Sequence, residues 1–325
     1  MKDILTIIVF VFSVGCIPFM TDSGVLLNFV MMALYACLLA QAWNILGGFG
    51  GQFSFGHAVF FGTGAYLQVM VQTYFEWNPW LALISSMGIS ACVGLIVGIL
   101  SFRYGLKGSY FALVTLAFAE VFRIIALSVP FTGAGVGLML PLSESVANMQ
   151  FTTKAGYIWL VLALVFISLC ITAWLRHSRF GSYLQAIRDN EDAARAIGVN
   201  PFTVKLWATV ISAALMGSAG AFYVQVFQYI DPTLAFGPHT SVEALVGAIV
   251  GGMGSLWGPV VGALTLHALA DLTRNMFGQL PGINMVVYGF VLVLIVMFMP
   301  RGIVGFASNF LKILFKSANS GKESA

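Results

Sequence analysis

Between its few charged residues the chain carries one apolar run after another, each about as long as the ~20 helical residues that cross a bilayer's hydrocarbon core. Such runs fall at about 4–20, 25–46, 58–75, 80–102, 109–129, 157–175, 206–228, 258–274 and 283–299. Lysine and arginine number 15 and the carboxylates 12, so charged residues make up 8% of 325, against roughly 25% in a soluble domain. That excludes a soluble globule, which needs more polar surface than these charges supply. A chain that is 59% apolar is not disordered, and a net charge of +3 leaves no basic stripe for nucleic acid. Cys16, Cys37, Cys92 and Cys170 stand singly in apolar runs, without a CxxC or a nearby histidine. They imply neither a disulfide framework nor a metal site.

Orientation follows from the cations, which stay on the cytoplasmic side of a membrane protein. Lys2, the pair Arg103 and Lys107, the cluster Arg176, Arg179, Arg188, Arg195 and Lys205, and the tail with Arg301, Lys312, Lys316 and Lys322 belong there. All fall on one side only if a shorter tenth segment at 240–253 also crosses or an equivalent break restores parity. The expected fold is an all-α polytopic membrane protein of about ten transmembrane helices with both termini cytoplasmic. It forms a single domain over 1–300, with one long cytoplasmic loop at 176–205 and a basic tail at 301–325. The opposite loops, 21–24, 76–79, 130–156 and 229–239, hold Lys154 against Asp22, Glu76, Glu144 and Asp231. Asn78-Pro79-Trp80 supplies an N-cap, a proline in the first turn and an interfacial aromatic, while Pro130 and Pro300 close helices. SVGC at 13–16 faintly resembles a lipoprotein cleavage site, but Ser13 stands where a larger aliphatic is wanted, and the first segment is read as an uncleaved span.

Two regions hold more glycine than a lipid-facing helix needs. In GGFGGQFSFGHAVFFGTGAY at 47–66, Gly48, Gly51 and Gly62 accompany the polar Gln52, Ser54 and His57. Non-helical backbone at membrane depth survives only inside protein or beside a water-filled cavity. A broken helix lining a solute passage and close helix packing through small residues both fit. In VGAIVGGMGSLWGPVVGA at 246–263, Gly247, Gly251, Gly254, Gly258 and Gly262 recur at steps of 4, 3, 4 and 4. That spacing places them on one helical face, interrupted at Gly258-Pro259; without polar side chains the stripe reads as packing rather than passage.

Ionisable residues inside spans are costly and mark function or internal pairing. Glu120 and Arg123 lie three apart on one face; His267, Asp271 and Arg274 share another; Glu243 opens the short segment. Salt bridges that fix helix packing are the favoured reading over a proton or solute relay.

The loop at 176–205 is strongly charged. Ser182 with Gln185 makes a capping box, a helix is expected over 183–197, Gly198 supplies its left-handed end, and Asn200-Pro201 opens the next helix. Leu184, Ile187, Ala194 and Ile197 fall on one side, with Arg188, Asp189, Asp192 and Arg195 elsewhere. Such a helix can dock shallowly on another protein or lie on the membrane, and its mixed charge weakens the purely lipid-bound reading.

DAARAIGVN at 192–200 resembles the EAA-loop of bacterial ABC importer permeases, with Asp192 in place of the usual Glu. In order along the chain, NILGGFGGQFSFGHAVFFGTGAY (44–66), RYGLKGSYFALVTLAFAEVFR (103–123), TGAGVGL (132–138), SRFGSYLQAIRDNEDAARAIGVN (178–200) and GGMGSLWGPVVGA (251–263) resemble the LivM-type permease of branched-chain amino-acid ABC transporters. The resemblance implies an importer of leucine, isoleucine and valine in the bacterial inner membrane, with a permease fold of the vitamin-B12-importer type. Its partners would be a LivH-type second permease, two cytoplasmic ATPases and a periplasmic binding protein, besides membrane lipid. Close relatives carrying urea, amides or other amino acids keep the substrate open. Coupling to the ATPase would fall to Leu184, Ile187, Arg188, Glu191, Asp192, Ala193, Ala194, Ile197 and Gly198. The chain lacks GxxxxGK[ST], its one Gly-Lys pair being Gly321-Lys322 before Glu323, so ATP would be used by partner subunits and no cofactor bound here. No HExxH or GxSxG points to an enzyme. A gradient-driven carrier, the other reading of the buried charges, would leave the docking helix without a role.

Overall fold

The computed structural model describes residues 2–277, together with 286, 287, 289, 290, 293, 294, 297 and 302–306. The expected span at 283–299 lies largely outside the described residues, as do Pro300 and the tail from 307. In chain order the helices are α1 (Lys2–Gly15), α2 (Ile17–Met20), α3 (Gly24–Asn44), α4 (His57–Phe75), α5 (Pro79–Arg103), α6 (Gly108–Ser128) and α7 (Lys154–His177). There follow α8 (Arg179–Asp189), α9 (Glu191–Ala196), α10 (Pro201–Phe227), α11 (Pro232–Phe236), α12 (Pro238–Gly251) and α13 (Gly258–Phe277).

Among the described residues seven segments are long and apolar enough to cross a membrane: Asp3–Met20, Gly24–Phe49, Pro79–Arg103, Gly108–Ser128, Lys154–His177, Pro201–Phe227 and Pro232–Gly251. Helices α4 and α13, at 19 and 20 residues, match them in length but carry more polar side chains. The short tenth segment expected at 240–253 begins earlier. Asp231 caps α11 through Thr233 N (2.9 Å) and Leu234 N (3.0 Å), and α12 follows after Gly237 alone, so the apolar helical stretch is 20 residues long. Most of the expected outer loop at 229–239 is therefore helix.

Local chemistry sets the other starts as expected. Asn78 Oδ1 accepts from Trp80 N at 2.9 Å with Pro79 in the first turn, and Asn200 Oδ1 accepts from Thr203 N at 3.4 Å with Pro201 behind it.

Helix α3 is the axis of the bundle. Every residue from Ala33 to Asn44 is buried, as befits a helix that is apolar all round, and α7, α10, α12 and α13 pack on it. Helices α4, α5 and α10 form a second layer joined through small residues. A Cβ at Gly64 would enter the backbone of Gly217, one at Gly220 the carbonyl of Phe61, and one at Gly94 would come within 2.5 Å of Ala213 Cβ. Backbones this close gain dispersion contacts that larger side chains would prevent. The glycine stripe at 247–262 also serves packing, though not as one face of one helix. Helix α12 ends at Gly251, Gly254 lies in a turn, and Gly258 opens α13, so Gly247 and Gly251 face Gly262 and Gly258 across a hairpin.

The charged loops gather at one end of the bundle. Asp3 meets Arg176 (3.2 Å) and His177 (2.9 Å), and Glu191 meets Lys205 (3.2 Å), Arg195 (3.3 Å) and Lys107 (3.6 Å). At the other end Leu138–Met139 pairs antiparallel with Tyr229–Ile230, and Trp80 Nε1 donates to Val146 O at 3.2 Å. This arrangement agrees with the sidedness read from the cations.

The packing predicts a sharp contrast between two glycines. Gly64→Val should lower the thermal stability of the detergent-extracted chain by several degrees, because the new side chain collides with the Gly217 backbone. Gly88→Val in α5, where a Cβ meets nothing within 4 Å, should leave the melting temperature unchanged.

Candidate functional site

The first glycine region is a break in α3. Past Asn44 the helix widens into a single π turn, Ile45–Phe49, and residues 51–56 are not helical until α4 begins at His57. A widened turn frees backbone groups, and each needs a partner where it is buried. Leu46 O accepts from Gln52 N (3.2 Å), Ser54 O from Trp43 Nε1 (2.9 Å) and Gly48 O from Arg188 Nη1 (3.0 Å). Further along, Phe55 N donates to Thr115 Oγ1 (3.2 Å), Gly56 N to Ser54 Oγ (3.2 Å) and Ala58 N to Ser241 Oγ (2.8 Å).

The same point holds the second glycine region. Asn44 Oδ1 accepts from Gly254 N at 2.8 Å and its Nδ2 donates to Ser255 O at 3.1 Å. One turn earlier Gln41 Nε2 donates to Leu256 O at 2.8 Å while its Oε1 accepts from Thr172 at 3.2 Å. A Cβ at Gly48 would lie 2.5 Å from Gly254 N, so the two breaks touch backbone to backbone. Gln41 and Asn44, three apart in an otherwise apolar run, are the residues that reading by glycine content misses; their amides in a span were the available signal.

Of the expected passage-lining residues, Ser54 and His57 are buried and engaged inside the chain. Ser212 gives its hydroxyl proton to Ala42 O (2.7 Å), so it accepts from His57 Nε2 at 2.9 Å. Gly62 is a packing site beneath the Phe236 ring, and Gly48 and Gly51 are close-approach sites. Gln52 is buried too, and its Oε1 has no hydrogen-bond partner among the described residues.

The charged loop differs from the single helix expected over 183–197. Ser178, not Ser182, is the N-cap, accepting from Gly181 N at 3.1 Å; α8 stops at Asp189, and Asn190 caps α9 through Asp192 N (3.1 Å) and Ala193 N (3.0 Å). Asparagine out-competes the helix because its side chain offers the next turn a better acceptor than the continuing backbone does. Gly198 takes the expected left-handed conformation, φ 90°. Leu184, Ile187 and Ala194 are buried against the chain's own bundle, whereas Ile197, expected on the same face, is 78% exposed. The surface open to another molecule is accordingly Ala193, Ala196, Ile197 and Gly198, with Arg195 and Asp192 beside them.

Two residues fasten this helix pair to the bundle. Arg188 runs from α8 into the π turn, where Gly51, at φ 64°, gives room: a Cβ there would sit 2.5 Å from Arg188 Cγ. Glu191 holds α9 to Lys205 of α10, whose ammonium also lies 4.8 Å from the Phe102 ring centre. Lys107, between α5 and α6, completes the contact.

Of the intramembrane charges, Glu120 and Arg123 pair on one face of α6 as expected, whereas the His267 group does not. Arg123 Nε meets Glu120 Oε2 at 2.9 Å, but both belong to α6 and the pair ties no second helix. Among the described residues no hydrogen bond or ion pair joins His267, Asp271 and Arg274; the His267 ring lies instead 5.2 Å from that of Phe29. Glu243 likewise has no ion pair among the described residues.

A bundle of apolar helices long enough to cross a bilayer, with interrupted backbone beside a charged helix pair at one end, is that of a multi-pass membrane protein. The family model described as branched-chain amino acid transport system / permease component matches residues 25–296, and the chain belongs to that family. It is similar to the high-affinity branched-chain amino acid transport system permease protein LivM of Salmonella typhimurium, with 28% identity covering 95% of this chain and 76% of that protein. The LivM of Escherichia coli is 27% identical over 91% and 73%, and the LivH permease of Salmonella typhimurium 25% identical over 86% and 94%. No solved structure matches the chain.

Asn44 is the residue to remove. Asn44→Ala strands Gly254 N and Ser255 O in a partly buried site and should cost about 1–3 kcal/mol, read as a lowered melting temperature of the detergent-solubilised chain. An unchanged melting temperature would show that the two breaks do not depend on it.

Proposed function

We propose that the chain is a membrane-spanning permease subunit of an ATP-driven importer for leucine, isoleucine and valine. The observation that carries this reading is the similarity to LivM proteins along 95% of the chain, described for those relatives as high-affinity branched-chain amino acid transport. The chain would sit in the bacterial inner membrane with ten crossings and both ends cytoplasmic, the tenth supplied by residues near 283–299, in a fold of the vitamin-B12-importer type. It would pair with a LivH-type permease, receive substrate from a periplasmic binding protein, and leave ATP hydrolysis to two cytoplasmic ATPases. It would bind no cofactor and catalyse no reaction of its own.

On this reading the ATPase meets the exposed edge of α9, Ala193, Ala196, Ile197 and Gly198. Motion of the pair α8 and α9 then reaches the bundle by two routes. Arg188 pulls on the carbonyl of Gly48 in the π turn, and Glu191 moves Lys205 at the base of α10. Both routes end on α3 and α10, which pack on each other, so a push at the surface displaces the central break instead of only bending a loop. Leu184 and Ile187 act within the chain, holding α8 to the bundle.

The first test is uptake of labelled leucine, with and without excess isoleucine, valine or urea, in cells with and without this chain. Loss of isoleucine-competed uptake with the chain absent supports the reading; urea-competed uptake would move the substrate class. Coupling is tested separately. Ile197→Glu should prevent co-purification of the ATPase while leaving the chain in the membrane, since that side chain touches little of its own fold. Arg188→Ala should keep the ATPase bound and hydrolysing but lower uptake about tenfold or more, because the link to Gly48 is cut. Full uptake by Arg188→Ala would remove it from the coupling route.

A further inference from the structure

Two helices stand at the margin of the bundle with most of their surface uncovered, and they differ in one respect. Helix α1 exposes Ile4, Leu5, Ile8, Val9 and Phe12, side chains that lipid solvates well, and its one acid, Asp3, lies at the end that meets Arg176 and His177. Helix α6 exposes Leu113, Leu116, Val121, Ile124 and Ile125, but among them stands the ion pair Glu120–Arg123, with side chains 50% and 27% exposed. Glu120 is thirteenth of the 21 residues of α6, some 12 Å from its outer end at ~1.5 Å per residue. That depth lies within hydrocarbon. The pair neutralises its net charge but keeps a large dipole and unpaired N–H donors, which lipid tails cannot meet. No other described helix reaches it with a hydrogen bond or ion pair.

We propose that this face of α6 is covered by the second permease chain, so that Glu120 and Arg123 lie at the permease–permease interface while the exposed face of α1 meets lipid. The inference rests on the two-permease reading above. The kind of partner is argued from the LivH relative, which aligns with 86% of this chain and so shares its course. Two chains of one fold pair about a pseudo-twofold axis, bringing like faces together. The counterpart of α6 then meets α6, and the polar groups of the pair find partners across the axis. Leu113, Leu116 and Ile124, within one or two turns of Glu120, supply the apolar contact around them.

The test uses the assembled transporter in native membranes, with the photoreactive amino acid p-benzoyl-phenylalanine at Leu116, at Ile124 or, as the control, at Ile8 of α1. Irradiation should join positions 116 and 124 to the LivH-type chain, identified by peptide mass, and give lipid adducts alone at position 8. Lipid adducts alone at 116 and 124, adducts within the chain, or adducts to a second copy of this chain would each overturn the assignment, provided the LivH-type chain co-purifies with the unlabelled complex. If it does not co-purify, it is the two-permease reading that has failed. A second measurement reads the charges themselves. Glu120→Gln leaves Arg123 without its counter-charge and should lower recovery of the partner about tenfold per inserted chain. Glu120→Asp should restore most of it, whereas equal recovery for both variants and the parent would speak against the interface.

Discussion

The rest of the structure depends on how the interrupted backbone that follows the buried helix α3 finds its hydrogen-bond partners. Where α3 opens at Ile45–Phe49 and where α12 stops before α13, backbone donors and acceptors appear without helical partners. The protein answers with side chains from the intact part of α3: Gln41 reaches Leu256, Trp43 reaches Ser54, and Asn44 bonds both Gly254 and Ser255. A half-satisfied site of this kind would cost more than an apolar core of the same shape. The glycines follow from the same requirement, because amide-to-backbone bonds of this length leave no room for a Cβ at Gly48.

The same need explains why the charged helix pair is joined to the bundle's broken helix and not merely tethered to the bundle. Gly48 O, freed by the π turn, takes its donor from Arg188, a side chain that reaches across from α8. A guanidinium can span that gap while keeping its other nitrogens near water and near Asp189. One bond therefore serves two ends: it completes the accounting of the broken helix and fixes α8 against it. Glu191 does the equivalent work for α9, meeting Lys205, Arg195 and Lys107 with one carboxylate. Exposed pairs contribute little singly, but Lys205 is buried and its bridge resists solvent screening.

What was legible from the sequence divides along physical lines. The all-α, multi-pass character and the starts at Asn78-Pro79 and Asn200-Pro201 are local or compositional, and the structure follows them, with seven candidate spans among the described residues. The same is true of Gly198, whose left-handed turn needs no knowledge of its neighbours. The division of the charged helix at Asn190 was signalled only weakly: Asn is a preferred N-cap, but the apolar spacing on both sides of it continues as one helical face. The fate of Leu184 and Ile187 was not legible: amphipathicity says that a face is buried, and only the bundle says that it is buried at home. The two glycine regions gave packing and interruption correctly as possibilities, but that they meet each other at Asn44 is a contact 210 residues apart in the chain.

The internal bonding also bears on where a solute could pass. A route through the first glycine region of a single chain would have to part Trp43 from Ser54, His57 from Ser212, Ser212 from Ala42 and Ala58 from Ser241. Each such bond is worth about 0.5–1.5 kcal/mol net in ordinary surroundings, and the groups left unpaired in a dry interior cost more. Parting two chains along an apolar face breaks none of them. An importer whose specificity resides in a separate binding protein needs only a weakly interacting passage. On the proposed reading the broken helix is then the element that moves when α8 and α9 are pushed, and the passage is what its movement opens between the chains rather than a channel within one of them.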